Sequence, residues 1–171
     1  MLSIVGAILI IGATTAVGLS GVWRMGLRIR SLTGLLTAIE TMKSEICDRL
    51  TPMPELIEQL TQETSPPVDR FFQRVSEEMA TIGLQSFYFI WKAAVDNSPE
   101  LELTASEKQT LTDLGRSLGR YDTEQQRDAL AYAGRRLESD LHRAEEQRRT
   151  QGRVHAVLGI VVGVFVVIIL L

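Results

Sequence analysis

Two charge-free apolar runs flank a polar middle, and arginines cluster on the inner side of each run; this pattern leaves few folds open to the chain. Residues 1–23 carry no charged side chain, and their polar groups beyond the backbone are the hydroxyls of Ser3, Thr14, Thr15 and Ser20. Such hydroxyls can bond back to the carbonyls of their own helix. A bilayer core takes about 20 apolar residues in a helix, so this run is long enough to span. A cleavable leader would place basic residues ahead of the run. Here they follow it, at Arg24, Arg28 and Arg30, so a retained anchor is expected. The second run, 154–171, is preceded by Arg143, Arg148, Arg149 and Arg153, with Arg135 and Arg136 a few turns earlier. Positive residues flanking spans stay in the cytoplasm. The expected topology is therefore a multi-pass one: span 1–23, cytoplasmic domain 24–153, span 154–171. Gly6, Gly12 and Gly18 in the first span, and Gly159 and Gly163 in the second, would let the two helices approach closely in lipid.

Between the spans the apolar residues recur at helical spacing, without the alternation that marks strands. Leu32, Leu35, Leu36, Ile39, Met42, Ile46 and Leu50 form one stripe, on a helix predicted to continue from the first span. Thr51 is predicted to cap a short helix with Pro52 in its first turn and Met53, Leu56, Ile57 and Leu60 inward. Ser65-Pro66-Pro67 breaks that helix and begins the next, whose face is Val68, Phe71, Phe72, Val75, Met79 and Ile82. A further helix over 86–95 presents Phe87, Ile90, Trp91 and Ala94. Thr104 and Glu107 have the spacing of a capping box, opening a helix with Leu111, Leu114 and Leu118 on one side. Gly119 ends it, and Asp122, with Gln125 three residues on, caps the last helix. That helix carries Leu130, Ala133, Leu137, Leu141 and Ala144 and meets no stop before the membrane, with Gly152 its one candidate bend. The predicted fold class is all-α: a bundle of about six helices, its first and last elements growing out of the bilayer.

Chemistry is sparse. His142 and His155 lie in or beside the arginine-rich flank, without a nucleophile or a metal partner at ligand spacing. Cys47 is the one cysteine, which rules out an intramolecular disulfide, and beside the apolar stripe it reads as a core filler. No glycine-rich loop follows a strand, so no phosphate cradle is predicted. The many carboxylates read as solvated helix faces; Glu45 with Arg49 is one i,i+4 pair. A net charge of −3 gives no footprint for nucleic acid. No enzymatic activity and no cofactor are expected, and the general reading is a scaffold or docking domain. Two spans without an intramembrane ionisable residue also argue against a pore built from one chain.

Several stretches together carry a resemblance. They are the glycine-rich start through Gly18, the segment 40–46, Thr51-Pro52-Met53-Pro54-Glu55, Trp91, and the spaced series Leu111, Leu114, Gly115, Leu118, Gly119, Asp122 and Gln125. Leu158-Gly159 in the closing span completes them. In this order and over the whole length, the chain resembles stage III sporulation protein AB of endospore-forming bacteria. The resemblance implies a cytoplasmic domain similar to the helical module of the F-family platform proteins of type II secretion and type IV pili. It implies a mother-cell membrane platform around the forespore, in a channel-like complex, working with a secretion-type ATPase encoded beside it. The partners it implies are the bilayer, that ATPase, other stage III sporulation membrane proteins and possible further copies of the chain. The motif carboxylates Glu40, Glu45 and Glu55 are expected to be exposed and are candidate ATPase contacts; packing of the first two helices is the competing role for Glu40 and Glu45. Gly115 is expected to permit close helix contact, and Gly119 the turn before Asp122. The rival from another class is a membrane-anchored regulatory or signalling adaptor.

Overall fold

A computed structural model describes the backbone of residues 2–81, 86–118 and 122–170, and the side chains of residues 21, 23–80, 86–118 and 122–150. Six α-helices follow one another, with no strand among the described residues: α1 (Leu2–Ser44), α2 (Met53–Glu63), α3 (Val68–Thr81), α4 (Phe87–Asp96), α5 (Ala105–Ser117) and α6 (Thr123–Leu170). A π-helical turn, Glu45–Arg49, closes α1, and a 3₁₀ turn, Pro99–Leu101, links α4 to α5. The first and last helices are the long ones, 43 and 48 residues, and both run without interruption toward the chain ends, α6 straight through Gly152. Among the described residues no helix is long and apolar enough to cross a membrane. The side chains of the two expected spans, apart from Gly21 and Trp23, lie outside the described residues, as do Ile82, Gly119, Arg153, His155, Gly159 and Gly163.

The helices form because each stripe finds a facing surface. Leu32, Leu35, Ile39 and Met42 of α1, Leu56, Ile57 and Leu60 of α2, Val68, Phe71, Phe72 and Val75 of α3, and Leu130, Ala133, Leu137 and Ala144 of α6 are all buried in one core. Cys47 packs against it from the side, as a small filler would. At its centre stands Trp91, with Phe71 edge-on at 5.0 Å and Phe87 at 5.7 Å. Each large apolar side chain so enclosed contributes about 1.5–3 kcal/mol from burial, and each aromatic pair about 0.5–1.5 kcal/mol more. Contacts of α1 and its closing turn with α6 pair Asp48 of the turn with Arg127 and bring Ile39 opposite Gly134. Low numbers on one helix meet high numbers on the other, so the two long helices are antiparallel. Their terminal runs therefore leave the bundle from the same end.

Two local expectations are corrected at the end of α1. The stripe predicted Leu50 inward, yet Leu50 is 70% exposed. The turn Glu45–Arg49 is π-helical and holds more residues than an α turn, which rotates Leu50 off the stripe. Leu50 then ends the helix in the left-handed region at φ 57°, its amide bonding the Glu45 carbonyl. Thr51 does not cap α2; the N-cap position is Pro52. The Thr51 hydroxyl is engaged elsewhere, donating to Glu45 Oε2 at 2.7 Å.

Candidate functional sites at the two ends of the bundle

The end opposite the apolar runs is organised by Glu45. Its carboxylate was expected at the surface and is instead buried, accepting from Arg49 Nη1 at 2.8 Å and from the Thr51 hydroxyl. Burying a carboxylate is tolerated when its oxygens are bonded in this way. The carboxylate thus pins the π turn to the segment that follows. The predicted ion pair with Arg49 is present; free exposure of Glu45 is not. Around this pin stand Leu50, Pro52, Pro54 and Glu55, all exposed. Glu40, the third motif carboxylate, is exposed on the side of α1, 3.9 Å from Lys43. At the same end Asp122 Oδ1 accepts from the amides of Glu124 and Gln125 at 3.0 and 3.1 Å. Asp122 is the expected N-cap of α6, while the Gln125 side chain is exposed.

At the end from which the apolar runs leave, two of the arginines expected to set topology form ion pairs within the bundle. Arg24 Nε donates to Glu102 at 2.9 Å across the surface. One turn on, Arg28 Nη2 lies 2.6 Å from Glu107, whose side chain is wholly buried. Glu107 also accepts from the Thr104 amide at 2.7 Å, in the predicted capping box. One carboxylate therefore caps α5 and ties it to the base of α1. The sequence suggested the cap; the partner 79 residues away leaves no local signal. Arg30, Arg148 and Arg149 are exposed, and Trp23 is 76% exposed beside Arg24.

Between the two ends, Gly115 does what its spacing suggested. A Cβ there would stand 2.2 Å from Cδ1 of Trp91, whose indole N–H donates to the Leu111 carbonyl at 2.7 Å. Leu114 and Leu118 are buried on the same helix. Arg74 bonds both Ser98 and Glu100, holding the 3₁₀ turn against α3.

Reactive chemistry is thin among the described residues. No three metal-ligating side chains converge. Two surface cations have raised pKa values, Lys92 through its hydrogen bond to Asp96 and Arg116 through its hydrogen bond to Tyr88. Each marks a surface contact. What the arrangement offers is two well-fixed surfaces at opposite ends of a rigid helical body.

The pattern that defines the stage III sporulation protein AB family matches residues 3–171. The chain belongs to that family. Stage III sporulation protein AB of Bacillus subtilis (strain 168) is 26% identical over 172 residues, covering 100% of both chains. A solved structure of stage III sporulation protein AB shares the fold with a TM-score of 0.67 at 25% identity, over 72% of this chain and 98% of the solved one. The family is named for a stage of sporulation and not for a reaction.

Proposed function

We propose that the chain is a non-enzymatic platform subunit of a channel-like sporulation complex between mother cell and forespore. In this reading both terminal runs are anchored in the mother-cell membrane, and the cytoplasmic bundle docks a secretion-type ATPase. The observation that carries it is the pair of antiparallel helices, 43 and 48 residues long, each continuing from the bundle into an apolar run. Such a pair delivers both runs to one face of the body and presents the opposite end about 30 Å away, at about 1.5 Å per residue over the twenty residues from Arg24 to Ser44. An exposed tryptophan beside arginine at the junction suits a membrane–water boundary, where Trp rings and arginine stems both settle. The topology can be read directly. Ser139→Cys in a Cys47→Ser background is expected to react with an impermeant maleimide only after lysis, in a membrane fraction that resists carbonate. Labelling on intact protoplasts would end this reading.

We assign the ATPase contact to the far end, through Leu50 and Glu55. A large apolar residue held exposed in a left-handed conformation does nothing for the core and costs stability, as strained residues at working surfaces do. Glu45 is withdrawn as a contact because its oxygens are already used. Glu40 lies on the side wall, away from this end. Leu50→Asp with Glu55→Arg is expected to lower the ATPase retained in a pull-down at least about tenfold, since losing an apolar anchor at the centre of an interface costs about 2 kcal/mol or more. Helical circular dichroism should stay unchanged. Equal retention would remove the assignment.

A further inference from the structure

One feature of α6 has no explanation inside the chain. Gly134 sits mid-helix, where glycine costs about 1 kcal/mol relative to alanine. Internal packing does not require it, because a Cβ there would meet only Ile39, at an ordinary 3.7 Å. Its missing side chain instead opens a groove between α1 and α6, floored by Leu36, Ala131 and Gly134. With Lys43 also on the α1 wall and Glu138 also on the α6 wall, Glu40 stands on the first and Arg135 on the second. Both are exposed; among the described residues Arg135 has no ion pair, and Glu40 has only the 3.9 Å approach of Lys43.

We infer that this groove is where a second copy of the chain docks, groove against groove. The argument is one of register and charge. Gly134 lies opposite Ile39, so Glu40 and Arg135 stand at nearly the same height on their two walls. The inference rests on the proposal that both ends enter one bilayer, because a closed pair that uses the same face of each copy in one membrane has its two-fold axis along the membrane normal. Rotation about that axis keeps every height and sets α1 of one copy against α6 of the other. Glu40 of each copy then faces Arg135 of its partner, giving two symmetric ion pairs around a floor of small and apolar residues. The bare backbone at Gly134 permits the close approach that the partner's α1 needs. Rim pairs of this kind fix register and partner choice more than they add affinity.

The test uses the full chain in membranes with Cys47→Ser as background. One tagged copy carries Thr37→Cys, on the α1 wall of the groove, and a second carries Glu138→Cys, on its α6 wall. A short bis-maleimide is expected to join the two copies. Glu40→Arg alone, or Arg135→Glu alone, in both copies should cut the joined product at least about fivefold by setting like charges face to face. The two reversals combined should bring it back to within about twofold of the starting yield. Absence of the product in the unreversed pair, or a yield indifferent to the reversals, overturns the inference. Carbonate extraction of the same membranes shows separately whether the anchors hold, so failure of the dimer and failure of the membrane reading are distinguishable. If a single reversal fails to fold, Gly134→Leu in both copies, read with the same pair of cysteines, fills the groove and must abolish the product; persistence of the product overturns the inference equally.

Discussion

Gly115→Ala is expected to lower the melting temperature of the bundle by about 10 °C, and Gly115→Leu to leave no cooperative melting at all. The added Cβ would stand 2.2 Å from Cδ1 and 2.7 Å from Cγ of Trp91. The indole cannot swing away, because it is fully buried, with Phe71 at 5.0 Å and Phe87 at 5.7 Å. Moving it also breaks the 2.7 Å bond from its N–H to the Leu111 carbonyl. Overpacking costs about 1–3 kcal/mol, and a buried donor left without a partner about 1–3 kcal/mol more. Alanine returns about 1 kcal/mol through its better helix propensity. The net loss is about 3 kcal/mol, which for a domain of this size moves the midpoint by about 3 °C per kcal/mol. Gly134→Ala is the internal control: its Cβ meets one methyl at 3.7 Å, so propensity wins and the midpoint should rise by up to about 3 °C. Thermal melts of the detergent-solubilised chain, followed by near-ultraviolet dichroism of Trp91, decide the matter. Equal midpoints for Gly115→Ala and the unaltered chain would show that Trp91 has room the structure denies it.

Gly115 was legible because its signal is local: a glycine between inward leucines of one short helix, although Trp91 as its partner was not. The same holds for Thr104 with Glu107 and for Asp122, where a cap and its helix lie within a few residues of each other. The stripe residues Leu32 to Met42 and Leu130 to Ala144 were legible by their 3.6-residue period. Leu50 was misplaced by that same reasoning, since one π turn changes the residues per turn and nothing in Glu45-Ile46-Cys47-Asp48-Arg49 announces it. Glu45 was misplaced because solvation was the ordinary expectation for a carboxylate, while its second donor, Thr51, was already assigned as a cap. Arg28 had a sufficient account in membrane topology, and its pairing with a residue 79 positions away leaves no trace in either neighbourhood. Local rules thus recovered the helices and the N-caps of α5 and α6, missed that of α2, and did not reach long-range charge pairing.

Glu107→Ala is the substitution with the largest expected effect among the polar residues, about 3–5 kcal/mol, because it strands Arg28. The arginine side chain is only 17% exposed, and an unpartnered charge at such a site costs that much. The same change removes the acceptor of the Thr104 amide. Two companions separate the roles. Thr104→Ala breaks the capping box alone and should cost about 1 kcal/mol. Arg24→Ala breaks the exposed pair with Glu102 alone and should cost no more than about 1 kcal/mol. Arg28→Met together with Glu107→Leu removes both charges at once and should be less damaging than Glu107→Ala, since no charge is left without a partner. Urea denaturation of the four variants gives the order. A loss for Glu107→Ala no greater than that for Thr104→Ala would mean the buried pair contributes nothing. If the order holds, the mechanical consequence follows from connectivity. Glu107 fixes the start of α5 to α1 near the end from which the apolar runs leave, and Trp91 fixes α4 to α5 through the Leu111 carbonyl. A load on α4 then reaches α1 through bonded contacts at the middle and the start of α5, a coupling that the proposed platform role would use.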